Sequence, residues 1–196
     1  MALLDAEGVD TSKLAPVNEM QGHTVIQVNR EGENCILLYG GTNQCITRAQ
    51  IEDTFSGFSA GDWLVLQNEV NDLAAIVDAA YDRGMVIALN PSPCDAKLDA
   101  VDFGKLSWLL VNEVEAGQLT GSDDPQAAWA WLHARYPKLS ALITLGSAGS
   151  VAFRMEDGGV ETARQEAFRV KDVDTTAAGD TFTGYFVSGL MAGIPL

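Results

Sequence analysis

The chain has 196 residues, 47% of them hydrophobic, with 12 Lys and Arg against 27 Asp and Glu and a formal net charge of −15. That is enough apolar material for one sizeable core, and no apolar run is long enough to span a bilayer, so a soluble globular protein is expected. The anionic surface repels phosphate backbones and acidic membranes, so neither nucleic acid nor membrane is an expected partner.

Cys35, Cys45 and Cys94 are odd in number and show no C-x-x-C pairing, which fits reduced thiols in a cytosol better than a disulfide framework or a zinc site, so a cytoplasmic setting is expected. No secretory leader is read at Met1. In chain order, "HTVIQVN" (23–29) and "NCILLYG" (34–40) are β-rich runs joined by "REGE", which reads as a hairpin. "WLVLQ" (63–67) is a strand, a helix is expected from about Asn71 to Asp82, and "MVIALN" (85–90) follows Gly84, a natural helix stop. "WLLVN" (108–112) leads into an acidic helix start, "EVEAGQLTG" (113–121), and "PQAAWAWLHARYP" (125–137) reads as a helix bracketed by prolines. "ALITLG" (141–146) is a buried strand, "SVAFRM" (150–155) and "TARQEAFRV" (162–170) are strand-like, and a last helix is expected from near Ala178 towards Gly193.

Repeated strand-then-helix order predicts an α/β fold, a mostly parallel sheet with helices on both faces. No internal repeat, linker or low-complexity segment is seen. The opening "MALLDAEGVDT" reads as the last turn of a helix ending at Gly8, and "GLMAGIPL" closes the chain as a helix finishes. Truncation of the fold at both ends is therefore expected.

In such sheets ligands bind beyond the carboxyl ends of the strands. Glu69, Asn90, Asn112, Glu115 and Gly146 all stand just after strands, and "DTTAAGDTFTG" (174–184) lies where the last strand meets the last helix. The first N–H groups of a helix lack internal partners and carry partial positive charge, so the small residues Ala177, Ala178 and Gly179 would let an anion come close to the backbone. A carboxylate at that helix start, Asp180, could take the proton of an alcohol whose oxygen attacks phosphorus. The plainer alternative is an N-cap aspartate beside small packing residues, and Thr175, Thr176, Thr181 and Thr183 are equally consistent with caps and turns.

Other signatures are missing. There is no G-x-x-x-x-G-K-[ST] P-loop, and "LGSAGS" (145–150) has neither the spacing nor the helix of a dinucleotide fingerprint; its "GSAG" is a plain hairpin turn or a turn over which a nucleotide lies. No H-E-x-x-H or G-x-S-x-G occurs, and His133 is expected to be a surface or partly packed residue of its helix.

"DTTAAGDTFTGYFVSGL" resembles the C-terminal signature of the ribokinase-type, or PfkB, carbohydrate kinases, and "NREGENCILLYGGTN", "VIALNPSP", "LLVNEVEAGQLTG" and "ALITLGSAGSV" are similar to successive segments of that family in the same order. The resemblance covers nearly the whole chain. It implies a single, partial ribokinase-like domain over 1–196, with the hairpin 23–40 as a lid that closes over a sugar and excludes water. It implies Asp180 as catalytic base, also touching the sugar, and the amides of Ala177, Ala178 and Gly179 as an anion hole. Glu69 matches a sugar-contacting carboxylate, and Asn112 and Glu115 match an N-x-x-E motif that helps to place Mg²⁺ and phosphates. Thr144 and Gly146 match nucleotide-contacting positions, and Asp174 with the carbonyl of Thr176 matches part of a monovalent-cation site.

The implied activity is transfer of the γ-phosphoryl group of ATP to a sugar hydroxymethyl group, with ribose favoured, Mg²⁺ required and K⁺ activating. Deoxyribose, fructose-type and nucleoside kinases share the same catalytic half. The family's first strand-helix portion, which grips the sugar hydroxyls, has no counterpart before "LLDAEGVDT", and the family continues beyond "GLMAGIPL". "GGTN" (40–43) belongs to the return of the lid. The second expectation is therefore a catalytically silent fragment or interaction module of the same fold. An exposed lid hairpin would want a partner strand, so a homodimer is also expected.

Overall fold

Buried parallel strands must be apolar on both faces, and the runs VIALN, WLLVN and SALIT meet that demand. The computed structural model describes residues 2–28, 34–170 and 177–196. The turn REGE, Asp174, Thr175 and Thr176 lie outside the described residues. By contact density the chain divides into two compact units: Met1–Phe58 with Glu69–Asp72, and Ser59–Asn68 with Leu73–Leu196.

The second unit is built on a six-stranded sheet. Its strands are β3 (Trp63–Gln67), β4 (Val86–Asn90), β5 (Trp108–Asn112), β6 (Ser140–Thr144), β7 (Ser150–Glu156) and β8 (Gly159–Gln165), paired in chain order. The first four run parallel, and β7 and β8 add on antiparallel. The helices are α3 (Leu73–Tyr81), α4 (Glu113–Thr120), α5 (Pro125–Arg135) and α6 (Ala178–Met191). Because side chains alternate along a strand, Ala88, Trp108, Leu110, Leu142 and Ala152 share one face, where Val187, Phe186 and Leu190 of α6 cover them. The Phe186 ring meets Trp108 edge-on at 5.1 Å. On the opposite face Trp129 of α5 lies parallel to Phe153 of β7 at 4.9 Å, and His133 stacks on Trp129 as a partly packed residue.

Helix limits differ from the sequence reading for local reasons. α3 starts at Leu73 rather than Asn71, because Asp72 has φ 53° and the Asn71 side chain is committed elsewhere. α5 stops at Arg135, since Tyr136 precedes Pro137 and is held at φ −129° and ψ 75°. β8 ends at Gln165, and residues 166–170 have no regular structure. The connection from β4 to β5 is not a helix but two short 3₁₀ turns, Ala96–Ala100 and Phe103–Lys105, each capped by an aspartate.

The first unit holds α1 (Ala2–Ala6), which ends before a positive-φ Gly8 as anticipated, and an antiparallel hairpin of β1 (His23–Val28) and β2 (Asn34–Tyr39). Val25, Ile26, Ile36, Leu37, Leu38 and Tyr39 of this hairpin are all exposed. Gly41 adopts φ 46°, and a Cβ there would run into the Met20 carbonyl, so the glycine lets residues 20–22 lie against the 41–44 turn. α2 (Arg48–Phe55) went unread in the sequence. It opens on a reciprocal cap: Gln50 N–H donates to Thr47 Oγ1 at 3.2 Å, and Thr47 N–H donates to Gln50 Oε1 at 2.9 Å.

Candidate active site

Polar residues end each of the four parallel strands. Register places Gln67 beside Asn90 and Asn112 beside Thr144, so strand ends that are otherwise apolar present amides and a hydroxyl along one edge. The following loops are tied down. Asn68, 1% exposed, donates from Nδ2 to the Pro93 carbonyl at 2.7 Å and to Asp95 Oδ1 at 3.0 Å, and its own N–H donates to the Ser92 carbonyl. The Asn68 hydrogen bond holds the Asp95 carboxyl below the usual carboxylate range. Asn68 Oδ1 itself is buried without a partner.

The N-x-x-E pair forms a reciprocal cap. Asn112 Oδ1 accepts the Glu115 N–H at 2.8 Å, and Glu115 Oε2 accepts the Asn112 N–H at 3.0 Å, which opens α4 directly off β5. Asn112 is exposed while Glu115 is 9% exposed. Burial, then the charges of Glu115 and Asp95, push the Cys94 thiol up to about 11. Carboxylate and amide oxygens of this kind suit Mg²⁺. Among the described residues, however, no three His, Cys, Asp or Glu side chains gather to hold a metal. A cation held here would have to take its remaining ligands from water or from a substrate.

At the start of α6, Ala177 takes φ 59° and ψ 15° and offers no side-chain cap. The helical ladder begins with Thr181 N–H donating to the Ala177 carbonyl at 2.9 Å, so the N–H groups of Ala178, Gly179 and Asp180 have no acceptor within the helix. All four residues from Ala177 to Asp180 are exposed. An alanine in the left-handed region costs about 1–2 kcal/mol. Asp180 is neither sealed in the core nor an N-cap: it lies in the first turn, and its Oδ1 accepts a hydrogen bond from Gln67 Nε2 at 2.9 Å. That contact was not read from the sequence, and nothing local marks an exposed Gln at a strand end.

Thr144 is half-buried at the end of β6. Gly146 begins the 3₁₀ turn Gly146–Ala148, closed by Leu145 N–H donating to the Gly149 carbonyl, which is the hairpin turn anticipated between β6 and β7. A cavity of about 420 Å³ borders α6 and β6–β8; no Asp or Glu lines it, and its polar lining includes Arg164, Gln165 and Tyr185.

Glu69 belongs to the first unit. Its carbonyl accepts Gln44 Nε2 at 2.6 Å, and two residues on, Asn71 clamps the Ile46 backbone: Oδ1 accepts the Ile46 N–H at 2.9 Å and Nδ2 donates to the Ile46 carbonyl at 2.7 Å. The exposed Glu69 side chain thus stands on a fixed backbone.

A family profile described as pfkB family carbohydrate kinase matches residues 1–196. The chain is similar to a ribokinase of Staphylococcus aureus (strain COL), 34% identical over 190 residues, covering 93% of this chain and 60% of that protein. It superposes on the crystal structure of ribokinase from Cryptococcus neoformans var. grubii serotype A in complex with ADP at TM-score 0.81 and 34% identity, covering 100% of this chain and 67% of that one. A structure of Arabidopsis thaliana ribokinase complexed with ribose and ATP matches at TM-score 0.72 and 25% identity, over 91% and 59% of the two chains. The chain spans about 60% of the length of the curated relatives it matches.

Proposed function

The chain belongs to the pfkB family of carbohydrate kinases, and from that premise we propose that it transfers the γ-phosphoryl group of ATP to a hydroxymethyl group of a sugar, with ribose as the acceptor. The observation that carries this reading is the exposed Asp180 in the first turn of α6, directly after uncapped small residues. The ribose, ATP and ADP named for the ribokinase structures of the same fold support the choice of substrates.

Asp180 contacts the acceptor hydroxyl and takes its proton. The sugar oxygen forms a bond to the γ-phosphorus as the bond to the bridging β-γ oxygen breaks, and ADP departs. Charge on the moving phosphoryl group is met by the backbone amides of Ala177, Ala178 and Gly179. Thr144 and Gly146 contact the nucleotide, and Glu69 contacts the sugar. Asn112 and Glu115 would help to hold Mg²⁺, through water and the phosphates, and the ion when bound neutralises phosphate charge. A monovalent cation, K⁺, is proposed at Asp174 and the carbonyl of Thr176 on sequence resemblance alone.

The hairpin acts as the lid over the sugar, and its exposed apolar side chains support burial against a second copy of the chain in a homodimer. A cytoplasmic setting fits three free cysteines, and no described helix is long and apolar enough to cross a membrane.

The test is ADP release by the purified chain with ATP, Mg²⁺ and K⁺, against ribose, deoxyribose, fructose and a nucleoside. Ribose is expected to give the highest kcat/KM, and Asp180→Asn to lower kcat by about 10²–10⁴-fold. Unchanged turnover in Asp180→Asn refutes the base assignment. Absence of turnover with every acceptor counts against the kinase reading of this chain.

A further inference from the structure

We propose that Gln67 is a positioning residue for Asp180, holding one carboxylate oxygen so that the other faces the acceptor hydroxyl. This rests on the reading of Asp180 as the base.

Gln67 is the last residue of β3, and its backbone is held in register with Asn90 of β4. Its Nε2 donates to Asp180 Oδ1 at 2.9 Å across 113 positions of sequence. Both side chains are exposed. The terminal torsion of an aspartate is broad and roughly two-fold, so an exposed carboxylate in a first helical turn has no preferred face of its own. A single donor on Oδ1 removes that freedom and leaves Oδ2 for the substrate.

The chemistry of the donor matters as much as its place. A glutamine amide gives a hydrogen bond from a neutral group, so the carboxylate is oriented without a fixed charge being placed beside it. A carboxylate there would repel Asp180. The β3 strand is also paired with β4 from Trp63 to Gln67, which makes it a better support than a loop for fixing a reacting group.

The alternative is that the contact only ties α6 to the sheet. Three variants of the full chain separate the two: Gln67→Leu, Gln67→Glu and Asp180→Asn, each checked for unaltered folding by circular dichroism. The first readout is the Gln67 side-chain amide in ¹⁵N–¹H spectra. Its resonances are expected to move as pH is lowered through the carboxylate range, and to stop moving in Asp180→Asn. The second readout is turnover. Gln67→Leu is expected to lose about ten- to a hundred-fold in kcat with the KM for ATP within about twofold of wild type. Gln67→Glu is expected to move the acidic limb of the rate profile to higher pH, because two like charges share one proton more readily. A mere tie between elements would leave kcat of Gln67→Leu unchanged, whereas the profile shift in Gln67→Glu reports only that position 67 stands beside Asp180.

Amide resonances insensitive to Asp180→Asn overturn the proposal. So does wild-type turnover in Gln67→Leu when Asp180→Asn is inactive, an outcome that leaves the base assignment standing. Turnover in Asp180→Asn instead removes the base reading, and the catalytic role of Gln67 with it. If the wild-type chain shows no turnover with any acceptor, the base reading and the positioning role of Gln67 fall together.

Discussion

The reciprocal cap at the head of α4 lets the capping role of the N-x-x-E pair be separated from its proposed role toward Mg²⁺. Asn112→Ala removes the acceptor for the Glu115 N–H but keeps the backbone donor that reaches Glu115 Oε2. Loss of an N-cap acceptor costs about 1 kcal/mol, within roughly 0.5–2. Glu115→Ala is worse. It deletes a hydrogen bond to an ionised acceptor, about 1.5–3 kcal/mol, from a side chain that is 9% exposed, and leaves the Asn112 N–H unpaired. Asn112→Asp retains a good cap, and Glu115→Gln retains an oxygen to accept the Asn112 N–H, so both should stay within about 1 kcal/mol of wild type. For a chain of this size 1 kcal/mol corresponds to about 2–4 °C in Tm.

Urea unfolding followed by circular dichroism gives the stability order, and ADP release against Mg²⁺ concentration gives the chemistry. Glu115→Gln is the informative variant: folding is preserved, the negative charge is gone, and the half-saturating Mg²⁺ concentration should rise. Equal destabilisation by Asn112→Asp and Asn112→Ala would show that capping is not what Asn112 contributes. An unmoved Mg²⁺ dependence in Glu115→Gln would assign the carboxylate to folding alone.

The two glycines of the turn after β6 should respond very differently. Gly149→Ala places a Cβ at φ 97° into the Gln165 carbonyl and is expected to cost about 3 kcal/mol or more, whereas Gly146→Ala, at φ 52° with open space around it, should cost about 1 kcal/mol; equal Tm shifts would contradict this. Thr47→Ala should cost about 1 kcal/mol through loss of the α2 cap, and Thr47→Ser should restore it in thermal melts. Cys94, its thiol raised to about 11 by burial and two nearby carboxylates, should be alkylated by iodoacetamide more slowly than the exposed Cys35 at pH 8, with its rate climbing as pH rises towards 11; matching rates at pH 8, read by mass spectrometry, would refute that environment.

Much of the molecule was legible residue by residue. The apolar runs at 63–67, 85–90, 108–112 and 141–146 announced buried parallel strands, because only strands covered on both faces tolerate such composition. Pro125 and Gly84 marked helix limits, and the small residues before Asp180 marked a helix start. The α2 cap was legible too, since Thr47 and Gln50 have capping-box spacing, but it was overlooked. The late start of α3 was not legible: Asn71 reads as a helical residue until its amide is seen clamped to Ile46.

What the sequence determined by itself was therefore everything carried by short spacings: strand periodicity, caps, turns, the α/β class and the run of residues around Asp180. Tertiary structure alone decided that Gln67 meets Asp180, that Asn68 braces the loop carrying Asp95, and that residues 69–72 group with the first unit rather than with the strand they follow. The physical reason is range. Periodicity and capping act within one or two turns of chain, whereas a contact across 113 residues exists only once strand order and register have brought two distant backbones together.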